Sequence, residues 1–510
     1  MTGSVTPPDE TRGERESSFR SLVISGFAWS LGGSVLLQVL RIVFAVAMAR
    51  FLTPHEYGLA GMALVFSALV LAFSDLSLGV GLVQRREITE DDRSTVFWTS
   101  VVVGVALTAG GVALSGPLAS FYGEPDVQPL FAVLSLSFVI GSLGATHAAL
   151  LQREMNFKAT SIRLTASTFL GGGTGVALAA AGFGAWAFIA QALVIAVVST
   201  TLLWHAQPWR PRMVFSTGSL RDLGSFGIRV FGVRVLDYVR TNGDKLLVGR
   251  VLGTSPLGVY TVAFNIQLLP FTRFVVAVQN TLLPALSRIQ DEPARLAAVF
   301  LRVSRVIAAL LLPTLAGVVV VAPDLVAVVL GSRWTEVAPL IQIMAAGVAV
   351  LSVTTLGFQV LTALNRTSTM LRFSITEVSL LVAAVAVGLE WGLTGVAVAY
   401  AVVHLPTRTW LAWLTTRALG ISFVGYLRSL AGVAQATLPM LAAVAGTRFV
   451  LVDAGTPAWV RLVVTVAVGI AVYAPLCLWR APELRHELRR LQRRRSSAGE
   501  ARRRPATASA

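Results

Sequence analysis

The run from Ser21 to Ala49, SLVISGFAWSLGGSVLLQVLRIVFAVAMA, is 29 residues long and carries one charge, Arg41. A helix needs about 20 consecutive apolar residues to cross a bilayer, so this stretch is long enough to do so. The residues before it mix acids and bases (Asp9, Glu10, Arg12, Glu14, Arg15, Glu16, Arg20), and no small-residue cleavage site follows. The run therefore reads as a first membrane helix that also serves as targeting signal, not as a removable signal peptide.

Working outward, the same character holds for the whole chain. Of its 510 residues 55% are apolar and only 13% charged, against about 25% charged in ordinary globular chains; the mean hydropathy is +0.72. Apolar blocks recur at 21–49, 57–83, 94–121, 127–151, 157–181 and 184–204, and again at 223–251, 257–286, 297–330, 336–363, 369–389 and 392–416. Two more lie at 429–450 and 458–479. The expectation is an all-α polytopic membrane protein with about 14 transmembrane helices. That leaves no room for a soluble catalytic domain of ~100 residues, which excludes most enzyme classes.

The net charge of +16 does not point to nucleic acid, because of where the positive residues lie. Ten arginines fall between Arg480 and Arg504, and most others occupy short connections between apolar blocks. With the N-terminus inside, the cytoplasmic connections and N-terminal segment hold about 18 Lys and Arg, counting Arg85, Arg86, Arg93, Arg153, Lys158, Arg210, Arg212, Arg221 and Arg408 among them. The opposite loops hold about four: Arg50, Arg250, Arg333 and Arg448. Positive residues favour the cytoplasmic side, so the expected topology is N-in and C-in.

The chain also repeats itself. Ala49-Arg50-Phe51-Leu52 with Gly58 is echoed 200 residues later by Gly249-Arg250-Val251-Leu252 with Gly258. The block around Gly184-Ala185-Trp186 is echoed around Gly395-Val396-Ala397. The expected organisation is a cytoplasmic segment 1–20, a six-helix bundle 21–204, a cytoplasmic linker 205–222, a second six-helix bundle 223–416, helices 13 and 14 in 417–479, and a basic cytoplasmic tail 480–510. Six is even, so the two bundles are parallel repeats, and paired bundles of this kind rock about a central site in secondary transporters.

Charges inside the blocks mark that site. The seventh block carries Arg229, Arg234, Asp237, Arg240, Asp244 and Lys245. At 100° per residue all six project within about 160° of one another. A charge facing lipid near the bilayer centre costs about 2.5–3.5 kcal/mol even on the gentlest scale, so this face is expected to look into a wet cavity or a protein partner. In the first block Ser30, Ser34, Gln38 and Arg41 form a weaker polar stripe, and Arg273 lies in the eighth. Arginine suits phosphate because its planar fork donates two hydrogen bonds and stays charged; Ser, Asn and Gln suit sugar hydroxyls. The alternative reading of the seventh block is internal pairing of its own acids and bases. Asp75 and Glu377 are isolated acids at membrane depth, open to either ion coupling or a structural role.

Motifs for other chemistry are missing. Gly171-Gly172-Gly173-Thr174-Gly175 lacks the Lys-Ser/Thr of a phosphate loop and sits in an apolar block, where close helix packing explains it. There is no HExxH or GxSxG, His147 and His404 are lone histidines, and Cys477 is the only cysteine. No cofactor and no metal site are expected.

The stretch Ala49-Arg50-Phe51-Leu52-Thr53-Pro54-His55-Glu56-Tyr57-Gly58, with Asp75-Leu76-Ser77-Leu78-Gly79-Val80-Gly81, resembles polysaccharide-transport family flippases of the multidrug/oligosaccharidyl-lipid/polysaccharide exporter superfamily. The segments Leu151-Gln152-Arg153-Glu154-Met155-Asn156-Phe157 and Asp244-Lys245-Leu246-Leu247-Val248-Gly249-Arg250 with Gly258-Val259-Tyr260 are similar to that family too. The resemblance covers about residues 20–480. It implies two six-helix bundles around a cationic cavity in a bacterial plasma membrane. It also implies export of undecaprenyl-pyrophosphate-linked oligosaccharide for surface polysaccharide, with membrane lipid, a glycan polymerase and chain-length machinery as partners. Arg41, Arg234, Arg240 and Arg273 are the expected pyrophosphate ligands, with Ser34, Gln38, Asp237, Asp244 and Lys245 as the surrounding polar network. Lipid II is an alternative cargo. A multidrug or cation antiporter shares the fold, but a cationic cavity has the wrong sign for cationic drugs. Short external loops disfavour a membrane-embedded glycan polymerase or ligase.

Overall fold

The structure is a computed structural model that describes residues 32–74, 78–85, 87–218, 238–354 and 356–480. The protein is an all-helical, multi-pass membrane protein. Eight of its described helical stretches are long and apolar enough to cross a membrane. One of them, Thr367–Ala418, folds back on itself at Gly392, whose φ of 66° is a left-handed value that glycine adopts without strain. The chain divides into two compact units, Met1–Gly258 and Val259–Ala510.

In the first unit α1 is described over Gly32–Phe51. It is followed by α2 (Pro54–Ser74), α3 (Leu78–Gln84), α4 (Glu90–Tyr122), α5 (Val127–Leu134), α6 (Leu136–Arg153), α7 (Phe157–Ala180) and α8 (Trp186–Ala206). Helix α9 is described over 238–252, and α10 (Thr254–Ser287) begins in this unit. Local chemistry sets the ends. Thr89 and Asp92 form a reciprocal capping box at the start of α4, each side chain accepting from the other's backbone N–H at 3.1 Å. Gly123, with φ 72°, ends α4 and turns the chain within a few residues into α5. Arg153 donates to the carbonyls of Leu82, in the last turn of α3, and of Arg85 just beyond it, placing positive charge where a helix dipole is negative.

The glycine run in α7 works through packing. A Cβ on Gly171 would stand 2.9 Å from the Gln191 carbonyl oxygen of α8, and one on Gly172 would enter the Phe44 ring of α1. Without side chains there, α7 closes on both neighbours. The polar connection after α8 is tied to the end of α4 that holds its capping box. Arg212 N–H donates to Ser94 Oγ at 3.2 Å, Ser216 N–H to Thr95 Oγ1 at 3.0 Å, and Trp209 Nε1 to Glu90 Oε2 at 2.9 Å. Trp98 Nε1 returns a bond to the Arg212 carbonyl at 2.8 Å. Beside this strap His147 is buried and stacks on Trp204 with ring centroids 4.6 Å apart.

The second unit contains α11 (Pro293–Val329), α12 (Val337–Thr354), α13 (Gly357–Ala363), α14 (Thr367–Gly388), α15 (Gly392–Ala418), α16 (Phe423–Asp453) and α17 (Ala458–Arg480). Leu361, Phe373 and Leu411 form one buried cluster among α13, α14 and α15, and Val321, Met440 and Val444 another between α11 and α16. Arg408, grouped with the cytoplasmic connections on sequence grounds, lies well inside α15 and is 4% exposed. Pro406 and two threonines around it give the segment a loop-like composition, yet the helix runs through.

Candidate functional site

Arg41 sits in the middle of α1, ten residues before Phe51, about 15 Å of helix rise from that end. Its side chain borders a cavity of about 240 Å³ formed by α1, α2, α7 and α8. Tyr57, Ser167, Thr168, Gln191 and Ser199 line the same cavity, so a single guanidinium faces hydroxyls and an amide. Among the described residues no acid pairs with Arg41. On the same helix Ser34 is exposed and Gln38 half-buried. This arrangement offers a planar cation and neutral hydrogen-bonding groups at membrane depth, the chemistry of anion and hydroxyl recognition.

The seventh-block cluster is described only in part. Arg229, Arg234 and Asp237 lie outside the described residues, as does Asp75. On α9 Arg240 is exposed, while Asp244 and Lys245 are buried at 4% and 9% exposure. The Lys245 backbone N–H donates to Asp244 Oδ1 at 2.8 Å, and Lys245 Nζ reaches Asn242 Oδ1 at 3.4 Å. Arg273 falls within α10, with its side chain outside the described positions.

Glu377 belongs to the second unit. Its carboxylate forms an ion pair with Arg408, Oε1 standing 2.5 Å from Nη2 with both side chains almost fully buried, and the Arg408 guanidinium stands 5.9 Å from the Phe373 ring centroid. His404, one turn before Arg408, is buried with Nδ1 2.7 Å from the Tyr400 carbonyl. Among the described residues no group of three or more His, Cys, Asp or Glu could hold a metal ion.

Two polar side chains escaped the sequence reading. Arg163 lies inside α7, one turn before the cavity residue Ser167, and its Nε is buried without a hydrogen-bond partner. Gln191 Oε1 on α8 is buried and unpartnered as well. Arg163 stands in the block 157–181 beyond Lys158 at its start; a count restricted to connections passes over it.

Residues 47–339 match the family profile described as polysaccharide biosynthesis protein. The chain belongs to that family. This polysaccharide biosynthesis protein is 28% identical over 418 residues to the lipopolysaccharide biosynthesis protein WzxC of Escherichia coli (strain K12), covering 81% of the chain and 85% of WzxC. It is 25% identical to the succinoglycan biosynthesis transport protein ExoT of Rhizobium meliloti (strain 1021), covering 88% of the chain and 92% of ExoT. Among solved structures it superposes on the lipid II flippase MurJ in an inward closed conformation with a TM-score of 0.72 at 15% identity, over 90% of this chain and 99% of MurJ. A multidrug resistance MATE family transporter of the MOP superfamily, in its inward-facing conformation, gives a TM-score of 0.62 at 15% identity, over 76% and 98%. At such identities the likeness is one of fold. The polysaccharide biosynthesis protein thus has the fold shared by the lipid II flippase and the MATE transporter.

Proposed function

We propose that this protein moves undecaprenyl-pyrophosphate-linked oligosaccharide from the inner to the outer leaflet of a bacterial plasma membrane for surface polysaccharide synthesis. The observation that carries the reading is Arg41: an arginine without an acid partner among the described residues, in the middle of a membrane helix, bordering a cavity whose lining combines apolar side chains with Ser167, Thr168, Gln191 and Ser199. A cation there costs about 2.5–3.5 kcal/mol unless something compensates it, and a pyrophosphate compensates it while the neutral groups meet sugar hydroxyls. The roles named for WzxC and ExoT, in lipopolysaccharide biosynthesis and succinoglycan transport, support the same cargo class.

The proposed architecture is 14 transmembrane helices, N-in and C-in, as two parallel six-helix bundles with helices 13 and 14 appended. In this reading Arg41, Arg234, Arg240 and Arg273 hold the pyrophosphate while the bundles rock, and the polyprenyl tail stays in lipid. Asp75 and Glu377 are the proposed ion-coupling acids. A glycan polymerase is the proposed downstream partner.

The test is analysis of lipid-linked glycans in the native host with and without the gene, and with Arg41→Gln in its place. Both the deletion and the variant are expected to accumulate a polyprenyl-pyrophosphate oligosaccharide on the cytoplasmic side and to lose a surface polysaccharide. Accumulation of lipid II would reassign the cargo. No accumulation, together with raised sensitivity to cationic dyes, would make the protein an antiporter.

A further inference from the structure

Three corners of the first unit meet on one threonine. Thr254, the first residue of α10, is 5% exposed. Its Oγ1 stands 2.8 Å from Nδ1 of His55 on α2 and reaches Oε1 of Glu124, between α4 and α5, at 3.4 Å. His55 is exposed and Glu124 half-buried, so the imidazole and the carboxylate meet water while the hydroxyl between them does not. The backbone at Glu124 is fixed: its N–H donates to the Ala119 carbonyl at 3.1 Å, and its carbonyl accepts from Val127 N–H at 3.2 Å. The end of α4 also presses on α9, where a Cβ on Gly249 would stand 2.8 Å from the Tyr122 ring. In the N-in topology proposed above, the α1–α2, α4–α5 and α9–α10 corners all lie on the outer side.

A threonine hydroxyl has one hydrogen, and here two groups can accept it. A neutral imidazole with a bare Nδ1 takes that hydrogen, and Glu124 then faces only the lone pairs of the Thr254 oxygen. An imidazole carrying both protons must donate from Nδ1 to Thr254 Oγ1, and the hydroxyl hydrogen turns to Glu124. The chain then runs one way, from imidazolium through hydroxyl to carboxylate, with opposite charges at its ends. Charge-assisted bonds are shorter and roughly twice as strong as neutral ones, and the 3.4 Å to Glu124 leaves room to shorten toward the ~2.5–3.0 Å of a well-formed O–H···O bond. The neighbouring charges are otherwise placed. On α2 Glu56 accepts from Thr53 N–H at 2.7 Å and from Thr53 Oγ1 at 2.9 Å. Arg250 of α9 lies 5.7 Å from the Phe121 ring centroid, and Arg50 at the end of α1 and Asp126 before α5 are exposed. The α7–α8 corner, 181–185, approaches Glu56 at Gly184 and carries no charge.

We infer that His55, Thr254 and Glu124 form a proton-sensitive latch at the outer end of the first unit, which acid outside the cell tightens. The inference rests on the topology and the alternating access proposed above. Histidine is the side chain that ordinarily changes charge between about pH 5 and 8, and an exposed one at the outer end samples the external pH. Opening that end parts α2 from α10 and breaks the chain at Thr254. The latched form therefore holds the extra proton more firmly than the open one, and by linkage it gains population as the external pH falls. Export is slowest in acid and is released as His55 loses its charge.

The test is hydrogen–deuterium exchange of the full chain in lipid nanodiscs at about pH 5.5 and about pH 7.5, on either side of the ordinary histidine titration. Rates are corrected for the intrinsic effect of pH and read at the first turns of α2 and α10. Wild type is expected to be about tenfold better protected at the lower pH, on the order of one charge-assisted hydrogen bond. His55→Gln stays polar but gains no charge, and should show one level of protection at both pH values. Glu124→Gln keeps an acceptor without the charge and should lose most of the response. Surface polysaccharide export at the same two external pH values should slow in acid for wild type and not for His55→Gln. Exchange needs no cargo, so a wrong cargo assignment leaves that readout standing. Equal protection of wild type at both pH values, weaker protection in acid, or an undiminished response in His55→Gln overturns the latch. An exchange response with export indifferent to external pH overturns its control of transport.

Discussion

Gly58 and Gly258 occupy reciprocal positions in the first unit. A Cβ on Gly58 would collide with the Thr254 carbonyl, and one on Gly258 with the Pro54 carbonyl while standing 3.0 Å from the Gly58 nitrogen. Each glycine thus rests on the first turn of the other's helix, α10 for Gly58 and α2 for Gly258. Thr254 Oγ1 adds a 2.8 Å contact to His55 Nδ1 at the same crossing. The obstruction is backbone, so no side-chain rotation relieves it. Gly58→Ala and Gly258→Ala are each expected to destabilise the purified protein by about 1–3 kcal/mol, the usual cost of overpacking. Melting in detergent and polysaccharide export read the effect; a pair of variants that melt and export as wild type does would disprove the contact.

Neighbouring glycines in α7 should respond oppositely. Gly172 packs on Phe44, whereas a Cβ on Gly173 meets nothing within 4 Å. Gly172→Ala should lower the melting temperature. Gly173→Ala should be neutral or raise stability by up to about 1 kcal/mol, because alanine is the better helix former. Two equal responses would contradict the packing of α1 on α7.

How much of the molecule is legible in the sequence differs from element to element. The block 157–181 became α7, Phe157–Ala180, and 184–204 became α8, Trp186–Ala206, because an unbroken apolar run in lipid has to satisfy its backbone hydrogen bonds internally. The role of the Gly171–Gly175 run as a packing surface was legible for the same local reason. Arg408 was not legible. Its partner lies 31 residues away on another helix, and only packing brings the two together, so composition alone suggested a loop. Arg163 shows the same limit from the other side: a single arginine inside an apolar block is diluted in a hydropathy average, and what faces it is decided by α7's neighbours.

The Glu377–Arg408 pair gives a prediction with a sign. Removing one partner leaves a buried charge uncompensated, which costs about 3–5 kcal/mol, whereas replacing both with apolar residues is often near neutral. Arg408→Leu alone should sharply reduce the protein level in the membrane. Glu377→Leu combined with Arg408→Leu should restore much of that level. If Glu377 also couples transport to an ion, the double variant will be present in the membrane but inactive; full export by it would limit the pair to a structural role.

The arginines of the seventh block are tested together. Neutralising Arg234 and Arg240 to Gln is expected to abolish surface polysaccharide export without lowering the amount of protein in the membrane. Normal export by this double variant would remove both residues from the proposed pyrophosphate site, leaving Arg41 to be judged by its own substitution.

The strap after α8 bears on how far the chain can reach. A free segment would be slack from Gln207 onward. Here Trp209, Arg212 and Ser216 are fastened to α4, so the ten residues from Gln207 to Ser216, about 35 Å of extended contour, are withdrawn from the tether. Any displacement of the downstream chain is then reckoned from Ser216, and a pull on it arrives at α4 as a load on its first turns rather than being absorbed by loose cord.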